Sequence, residues 1–411
     1  MHYTTASELP AFPLSAERVK QPMKETTKVS KGSLSKGPKT WNAEAVEVLG
    51  AASHEKSITP RMKVSGLRTP ALLVDLETLE SNLTRMASFF RDQPAKLRPH
   101  FKAHQVLELA CRQIRAGAAG LTCARLCQAE ALVDHGIHDV LIANEIAGRG
   151  MIEHFVDLSR RAPVIVAVDN PLIVSDLATT AGGHVHELNV LVDLDVRLGR
   201  CGVRPGEAAL SLAKQVRSKG LRFRGLMGYE GHIPLPPGPE KQSVVHDALR
   251  RLVETRTLFE HAGIPVEIVS CGGTSDFSIA AAFSGVTEVQ AGSYLLMDTW
   301  YQQFAPEFKP TLTVLATVIS KTPGKRVVAD MGVKAIDTKN GLPRIKGIPG
   351  LRVKTLHIEH ALLEIEDAVV SLEVGDTIEI WVNYLEPTLA LHSCMYGVRN
   401  GEVEEVFQIV R

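Results

Sequence analysis

The sequence predicts a (β/α)8 TIM-type barrel followed by a C-terminal antiparallel β domain. Three observations carry that fold class. From about residue 67 to residue 300, short apolar strand-like runs alternate with helical stretches. Near residue 305 the alternation stops, and β-rich runs separated by turns take over. At 411 residues the chain is too long for one ordinary core. The expected organisation is an N-terminal arm over 1–64, a barrel over 65–305 and a β domain over 306–411.

The arm is set apart by composition. Lys20, Lys24, Lys28, Lys31, Lys36 and Lys39 lie among Ser, Thr, Gly and Pro, and apolar periodicity appears only near Ala45 to Leu49. Such a segment buries too little apolar surface to offset its ordering entropy and is expected to be disordered or loosely docked. Thr69-Pro70 then leads into Ala71-Leu72-Leu73-Val74, expected as the first barrel strand, with Asp75 at its end. Leu79, Leu83, Met86 and Phe90 recur at helical spacing behind it. Leu97 to Phe101 is expected as the next strand, and strand and helix alternate onward through 120–123, 140–143, 164–168, 188–194, 223–229, 268–270 and 288–290. About eight β/α units in about 230 residues suit a closed barrel better than an open sheet. Beyond it, 312–321, 326–330, 351–359, 377–382, 395–399 and 402–410 read as strands, with turns at Pro323-Gly324, Gly375-Asp376 and Asn400-Gly401.

Composition excludes several functions. Lys plus Arg equals Asp plus Glu, 46 each, so nothing favours nucleic acid or an anionic membrane. No apolar run is long enough to span a bilayer as a helix. Six scattered cysteines without a CxxC suit free thiols in a reducing, cytoplasmic compartment.

In a barrel, chemistry sits at the C-terminal ends of the strands. Lys102, in Arg98-Pro-His-Phe-Lys-Ala-His104, lies at such an end. A lysine amine serves carbonyl chemistry once burial or nearby positive charge helps it lose its proton. His104, two residues on, would share a face with Lys102 on a continuing strand and is a proton-shuttle candidate. A core histidine is the competing reading. Gly272-Gly273-Thr274, after a late strand and before a helix, is the best anion cradle. An early lysine and a late phosphate cradle together suggest a phosphorylated aldehyde cofactor, and pyridoxal 5′-phosphate fits. Tyr229 is the candidate ring contact. Arg200 is the candidate partner of the cofactor's phenolic oxygen or of a substrate carboxylate.

Several of these stretches resemble fold-type III pyridoxal-phosphate enzymes, which share an alanine racemase-like barrel. They are most similar to the D-threonine aldolase/D-serine dehydratase-like family. The stretches are 69–75, 98–104, Leu141-Ile-Ala-Asn-Glu145, Leu198-Gly-Arg-Cys-Gly202, Gly225-Leu-Met-Gly-Tyr-Glu-Gly-His232, Gly272-Gly-Thr274 and Val289-Gln-Ala-Gly-Ser-Tyr294. The resemblance implies Lys102 as the lysine that forms an imine to the cofactor. It implies Arg200 and Tyr229 as cofactor contacts, and Gly272, Gly273 and Thr274 near the phosphate. It also implies Glu359 and His360 as substrate-side groups, a homodimer, and a lyase acting on β-hydroxy D-amino acids by retro-aldol cleavage or dehydration. A racemase or epimerase, and a non-catalytic pyridoxal-phosphate-binding protein, are the alternatives.

The family also implies a divalent ion (Mn, Mg or Zn) on a His-x-Cys or His-x-Asp pair. Here the candidates are Glu386, His392 and Cys394. His392-Ser-Cys394 has the spacing. Matching Tyr396 to Val403 with the family's terminal hairpin, however, puts the pair at Tyr384 and Glu386, and Tyr384 is a poor ligand.

Overall fold

The computed structural model describes residues 62–231, 235–322, 326–367 and 370–411. The expected arm up to residue 61, His232 and the Pro323-Gly324 turn lie outside the described residues.

The described chain opens with Met62–Lys63 (β1) and Ala71–Asp75 (β2). Eight parallel strands follow: Lys96–Leu97 (β3), Leu121–Cys123 (β4), Val140–Glu145 (β5), Ile165–Val168 (β6), Asn189–Leu194 (β7), Arg222–Gly228 (β8), Ile268–Cys271 (β9) and Glu288–Val289 (β10). Their spatial order is β3-β10-β9-β8-β7-β6-β5-β4. Thr122 N donates to Pro99 O at 2.9 Å and Ala119 N to Leu97 O at 2.8 Å, which brings β4 against the end of β3. Leu141, Ile165, Ala167, Leu191, Met227 and Ile268 form one apolar cluster. Their neighbours along the strands, such as Val140, Ile142, Val166, Val190 and Leu226, join the larger cluster with the helices. Strands buried on both faces must read as continuous apolar runs, which is why the alternation was legible.

The closing seam is pinned by one buried cation. Arg98, 2% exposed, donates to both oxygens of Glu288 on β10, at 2.8 and 2.7 Å, and to Asp139 Oδ1 at 2.7 Å. A bidentate guanidinium–carboxylate pair fixes direction as well as distance.

Seven strands complete the fold: Leu312–Thr322 (β11), Arg326–Ala329 (β12), Leu351–Leu356 (β13), Ala361–Ile365 (β14), Thr377–Trp381 (β15), Cys394–Arg399 (β16) and Glu402–Gln408 (β17). They form a second sheet in the order β1-β17-β16-β2-β11-β12-β14-β13, with β15 also on β11. Asn400 and Gly401, at φ 52° and 75°, make the left-handed two-residue turn that an Asn-Gly hairpin requires.

Three expectations are corrected. β2 is not a barrel strand. It lies between β11 and β16 in the second sheet, and Asp75 caps the helix Leu76–Arg91 by accepting from Thr78 N at 2.7 Å. An apolar run does not declare which sheet it joins, so periodicity alone could not separate the two. The strand expected over 97–101 stops at Leu97, and Phe101–Ala103 is a 3₁₀ turn. The run 351–359 is half of a hairpin whose return strand, Ala361–Ile365, the sequence reading missed. At the N-terminal edge, β1 pairs with β17.

Candidate active site

Lys102 stands in the 3₁₀ turn after β3, the first barrel strand. Its amine lies 5.8 Å from the centroid of the Tyr229 ring, which follows β8. The Arg200 guanidinium, beyond β7, lies 5.6 Å from the same centroid. A Cβ built on Gly273, just beyond β9, would come 3.6 Å from that ring. Side chains far apart in sequence thus meet at the C-terminal end of the barrel. Burial lowers the proton affinity of Lys102, and Arg200 lowers it further against the opposing charge of Glu386. A more weakly held proton is what an amine needs for carbonyl chemistry.

Neither Arg98 nor the neighbouring His100 supplies that positive charge. Arg98 is spent on the barrel seam. His100 is pushed well below its ordinary pKa by burial and then by the Lys102 charge, so it stays neutral. Arg200 is the cation that acts on Lys102.

The structure places His104 in the core instead. Its Nδ1 accepts from Val106 N at 3.1 Å, which leaves Nε2–H to donate to Gln113 Oε1 at 3.0 Å. Gln113 in turn donates to the Tyr294 hydroxyl at 2.9 Å. Both ring nitrogens are engaged, and burial pushes the imidazole pKa down to about 4. The shared face assumed a strand, and a 3₁₀ turn does not alternate its side chains.

The glycine turn is organised by two buried carboxyls. Gly272 N donates to Glu230 Oε2 at 3.1 Å, and Gly273 N to Asp276 Oδ1 at 2.8 Å. These two amides are therefore engaged within the protein. Burial, and then the neighbouring Asp276, pushes the Glu230 carboxyl well up, and burial also raises Asp276. The two carboxyls perturb each other's titration. Thr274 accepts from Tyr294 N at 3.0 Å and keeps its own O–H to donate. Lys102, the Tyr229 ring, Arg200, the bare Gly273 and the Thr274 hydroxyl suit a phosphorylated pyridine aldehyde.

Glu386 reaches this pocket from the β domain. It sits on the short helix Leu385–Leu389, which packs against the 3₁₀ turn carrying Lys102. Leu385 N donates to Asp298 Oδ2 at 2.9 Å, and Ser293 Oγ donates to Glu386 Oε1 at 3.1 Å. Glu359 and His360 stand elsewhere, on the exposed turn between β13 and β14, where Glu359 pairs with Lys334 at 2.6 Å.

Residues 74–299 match the family model described as "Alanine racemase, N-terminal domain". The chain belongs to the alanine racemase N-terminal domain family. In this family member, residues 311–398 also match the model "Putative serine dehydratase domain". Over 371 residues the chain is 33% identical to a D-threonine aldolase from Arthrobacter sp., covering 88% of this chain and 97% of that one. It is 30% identical to a 3-hydroxy-D-aspartate aldolase from Paracoccus denitrificans (strain Pd 1222), over 85% of this chain and 93% of that one. The crystal structure of D-threonine aldolase from Filomicrobium marinum superposes with a TM-score of 0.81 at 32% identity, covering 85% of this chain and 97% of that one. Lys102, Arg200, Tyr229 and Gly272–Thr274 fall in the racemase-type segment, and Glu386 in the dehydratase-type segment.

The metal candidates do not come together. Among the described residues, no three His, Cys, Asp or Glu side chains form a group able to hold a metal ion. His392 Nε2 bonds Ala335 O at 2.7 Å, and burial holds the ring below its ordinary pKa. Cys394 opens β16 beside Tyr396. At the position the family alignment selects, burial and then Glu386 raise the pKa of the Tyr384 phenol. The Lys339 ammonium lies 5.8 Å from the Tyr384 ring centroid. A neutral phenol, a neighbouring ammonium and one carboxylate do not fit a divalent ion.

Sequence reasoning missed Glu230, Asp276, Asp298 and Ser293. Ser293 and Glu230 lie in stretches that carry the family resemblance. Asp276 and Asp298 gave no signal, because nothing in a sequence marks which carboxyls will be buried together.

Proposed function

We propose that this chain is a cytoplasmic, homodimeric, pyridoxal-phosphate-dependent lyase that cleaves β-hydroxy D-amino acids to glycine and an aldehyde. The observation that carries the reading is the half-buried Lys102 amine, with lowered proton affinity, beside the Tyr229 ring. The three relatives described above, each at least 30% identical, are aldolases, which favours retro-aldol cleavage over dehydration. Lys102 would hold the cofactor's carbonyl carbon and return a proton at Cα. Tyr229 would lie against the pyridine, the Thr274 hydroxyl would donate to the phosphate, and Arg200 would bind the phenolic oxygen or the substrate carboxylate. When bound, the cofactor supplies an electron sink for charge developing at Cα.

The exposed turn at 357–360, with Ile358 59% exposed, supports assembly with a second copy, whose pocket Glu359 and His360 would face. Light scattering on the purified protein tests this and should give twice the chain mass. No helix among the described residues is long and apolar enough to cross a membrane, and the six cysteines are free thiols.

The deciding experiment incubates the purified holoenzyme with D-threonine. Glycine and acetaldehyde are expected in equal amounts. Ammonia with a keto acid would mean dehydration, and L-threonine or L-allothreonine without fragments would mean racemisation or epimerisation. Absence of a visible cofactor band would sink the reading altogether.

A further inference from the structure

We propose that Glu386 is the base that takes the β-hydroxyl proton of the substrate, and that the cleavage runs without a divalent cation. The proposal rests on the lyase reading above and adds what selects the reaction.

Cleaving Cα–Cβ in a β-hydroxy amino acid forms a carbonyl at Cβ. The hydroxyl must lose its proton as that carbonyl forms. A metal ion does this by polarising the oxygen, and a carboxylate does it by accepting the proton. The donors on this side of the pocket are wrong for the first route. Tyr384, Lys339 and Glu386 offer one anionic oxygen donor group and one competing cation.

They suit the second route. Glu386 is half-buried and forms no ion pair among the described residues. Its Oε1 is held by Ser293, while its Oε2 makes no hydrogen bond among the described residues. The backbone beneath it is fixed at both ends. Asp298 accepts from Leu385 N at 2.9 Å, and Thr388 Oγ1 accepts from Asp337 N at 3.1 Å. Asp298 is itself buried and also accepts from Tyr301 N at 2.6 Å, which ties the helix to the barrel end. The carboxylate therefore faces the Lys102 turn from a rigid mount, with one oxygen to spare. Its charge acts on both Lys102 and Tyr229.

The step balances without another reactant. The O–H proton passes to Glu386 Oε2, and its electron pair becomes the C=O π bond. The Cα–Cβ bond breaks, and its pair stays with the Cα fragment. That fragment regains one proton and leaves as glycine, while the other product leaves as the aldehyde.

The test compares the wild-type holoenzyme with Glu386→Gln, which keeps the Ser293 hydrogen bond. After exhaustive chelation, wild-type cleavage of D-threonine should be unchanged, and added Mn²⁺, Mg²⁺ or Zn²⁺ should not raise it. Glu386→Gln should lose roughly 10²–10⁴-fold in kcat, the range for removing one acid–base group. Its visible cofactor band should stay, and deuterium exchange into the Cα of glycine, which has no β-hydroxyl, should change far less than cleavage does. A merely structural role would lower exchange and cleavage together. Loss of wild-type activity on chelation with recovery on adding metal would overturn the proposal and leave the lyase reading standing. So would wild-type cleavage by Glu386→Gln, or a parallel loss of exchange. Absence of any cleavage by the wild type, with or without metal, would remove the lyase reading and this proposal together.

Discussion

The barrel side of the pocket is assembled from strand ends, whereas the β-domain side rests on one five-residue helix. Lys102, Arg200, Tyr229 and Gly273 follow β3, β7, β8 and β9 and are positioned by a closed parallel sheet. Tyr229 and Gly273 stand one and two residues beyond their strands, whereas Arg200 lies on an exposed bend six residues past β7. Glu386 depends instead on two side-chain anchors, Asp298 and Thr388. A mount of that kind can exchange its functional residue without touching a strand. The fold therefore holds the cofactor side fixed and leaves the side that acts on the β-substituent open to change. In this chain the side chains at that place, Tyr384, Lys339 and Glu386, include one carboxylate.

Substitutions should separate the two sides. The largest effect is expected for Lys102→Ala. It should abolish the visible cofactor band, D-threonine cleavage and deuterium exchange into glycine alike, a loss beyond the ~10²–10⁴-fold of a single acid–base group. Residual exchange at the wild-type rate would show that another group works at Cα. Glu386→Gln comes next and should divide the two activities, losing far more cleavage than exchange. The third effect concerns the scaffold. Arg98→Met strands Glu288 as a charge at the buried seam, and stability to urea should fall by about 3–5 kcal/mol. A change below about 1 kcal/mol would mean that the ring does not depend on this pin.

Much of this contrast was legible beforehand, for reasons that differ by region. Barrel strands buried on both faces betray themselves as apolar runs, so the β/α rhythm and the strand-end positions of Lys102 and Tyr229 could be read. The same signal misassigned Ala71–Asp75, because a strand covered on both faces looks alike in either sheet. Glu386 was found only as a metal candidate. Its place opposite Lys102 depends on a long-range docking through Asp298 that leaves no local pattern. The convergence of Glu230 and Asp276 on the glycine turn is likewise a tertiary fact, since the two lie on separate loops.

His104 and Lys102 are two residues apart, yet the first should report on folding and the second on catalysis. The His104 imidazole is neutral in the folded chain, with its pKa pushed down to about 4 by burial. In the unfolded chain an imidazole titrates near the usual value of about 6.5. Below that value the unfolded state binds a proton that the folded state refuses. Its contribution to stability is therefore complete above about pH 6.5 and is lost as pH falls toward about 4, by roughly 3 kcal/mol in all and roughly 2 kcal/mol by pH 5. His104→Gln removes this titration. Urea midpoints at pH 7 and pH 5 should show a smaller pH dependence in the variant than in the wild type. At pH 7 the variant should be less stable by about 1–3 kcal/mol, because a buried partner of Gln113 or Val106 loses its hydrogen bond. Its kcat on D-threonine, measured where the variant is folded, should stay within about twofold of wild type, since removing a true acid–base group costs ~10²-fold or more. A loss of that larger size with stability intact would return His104 to the proton-shuttle role first considered for it.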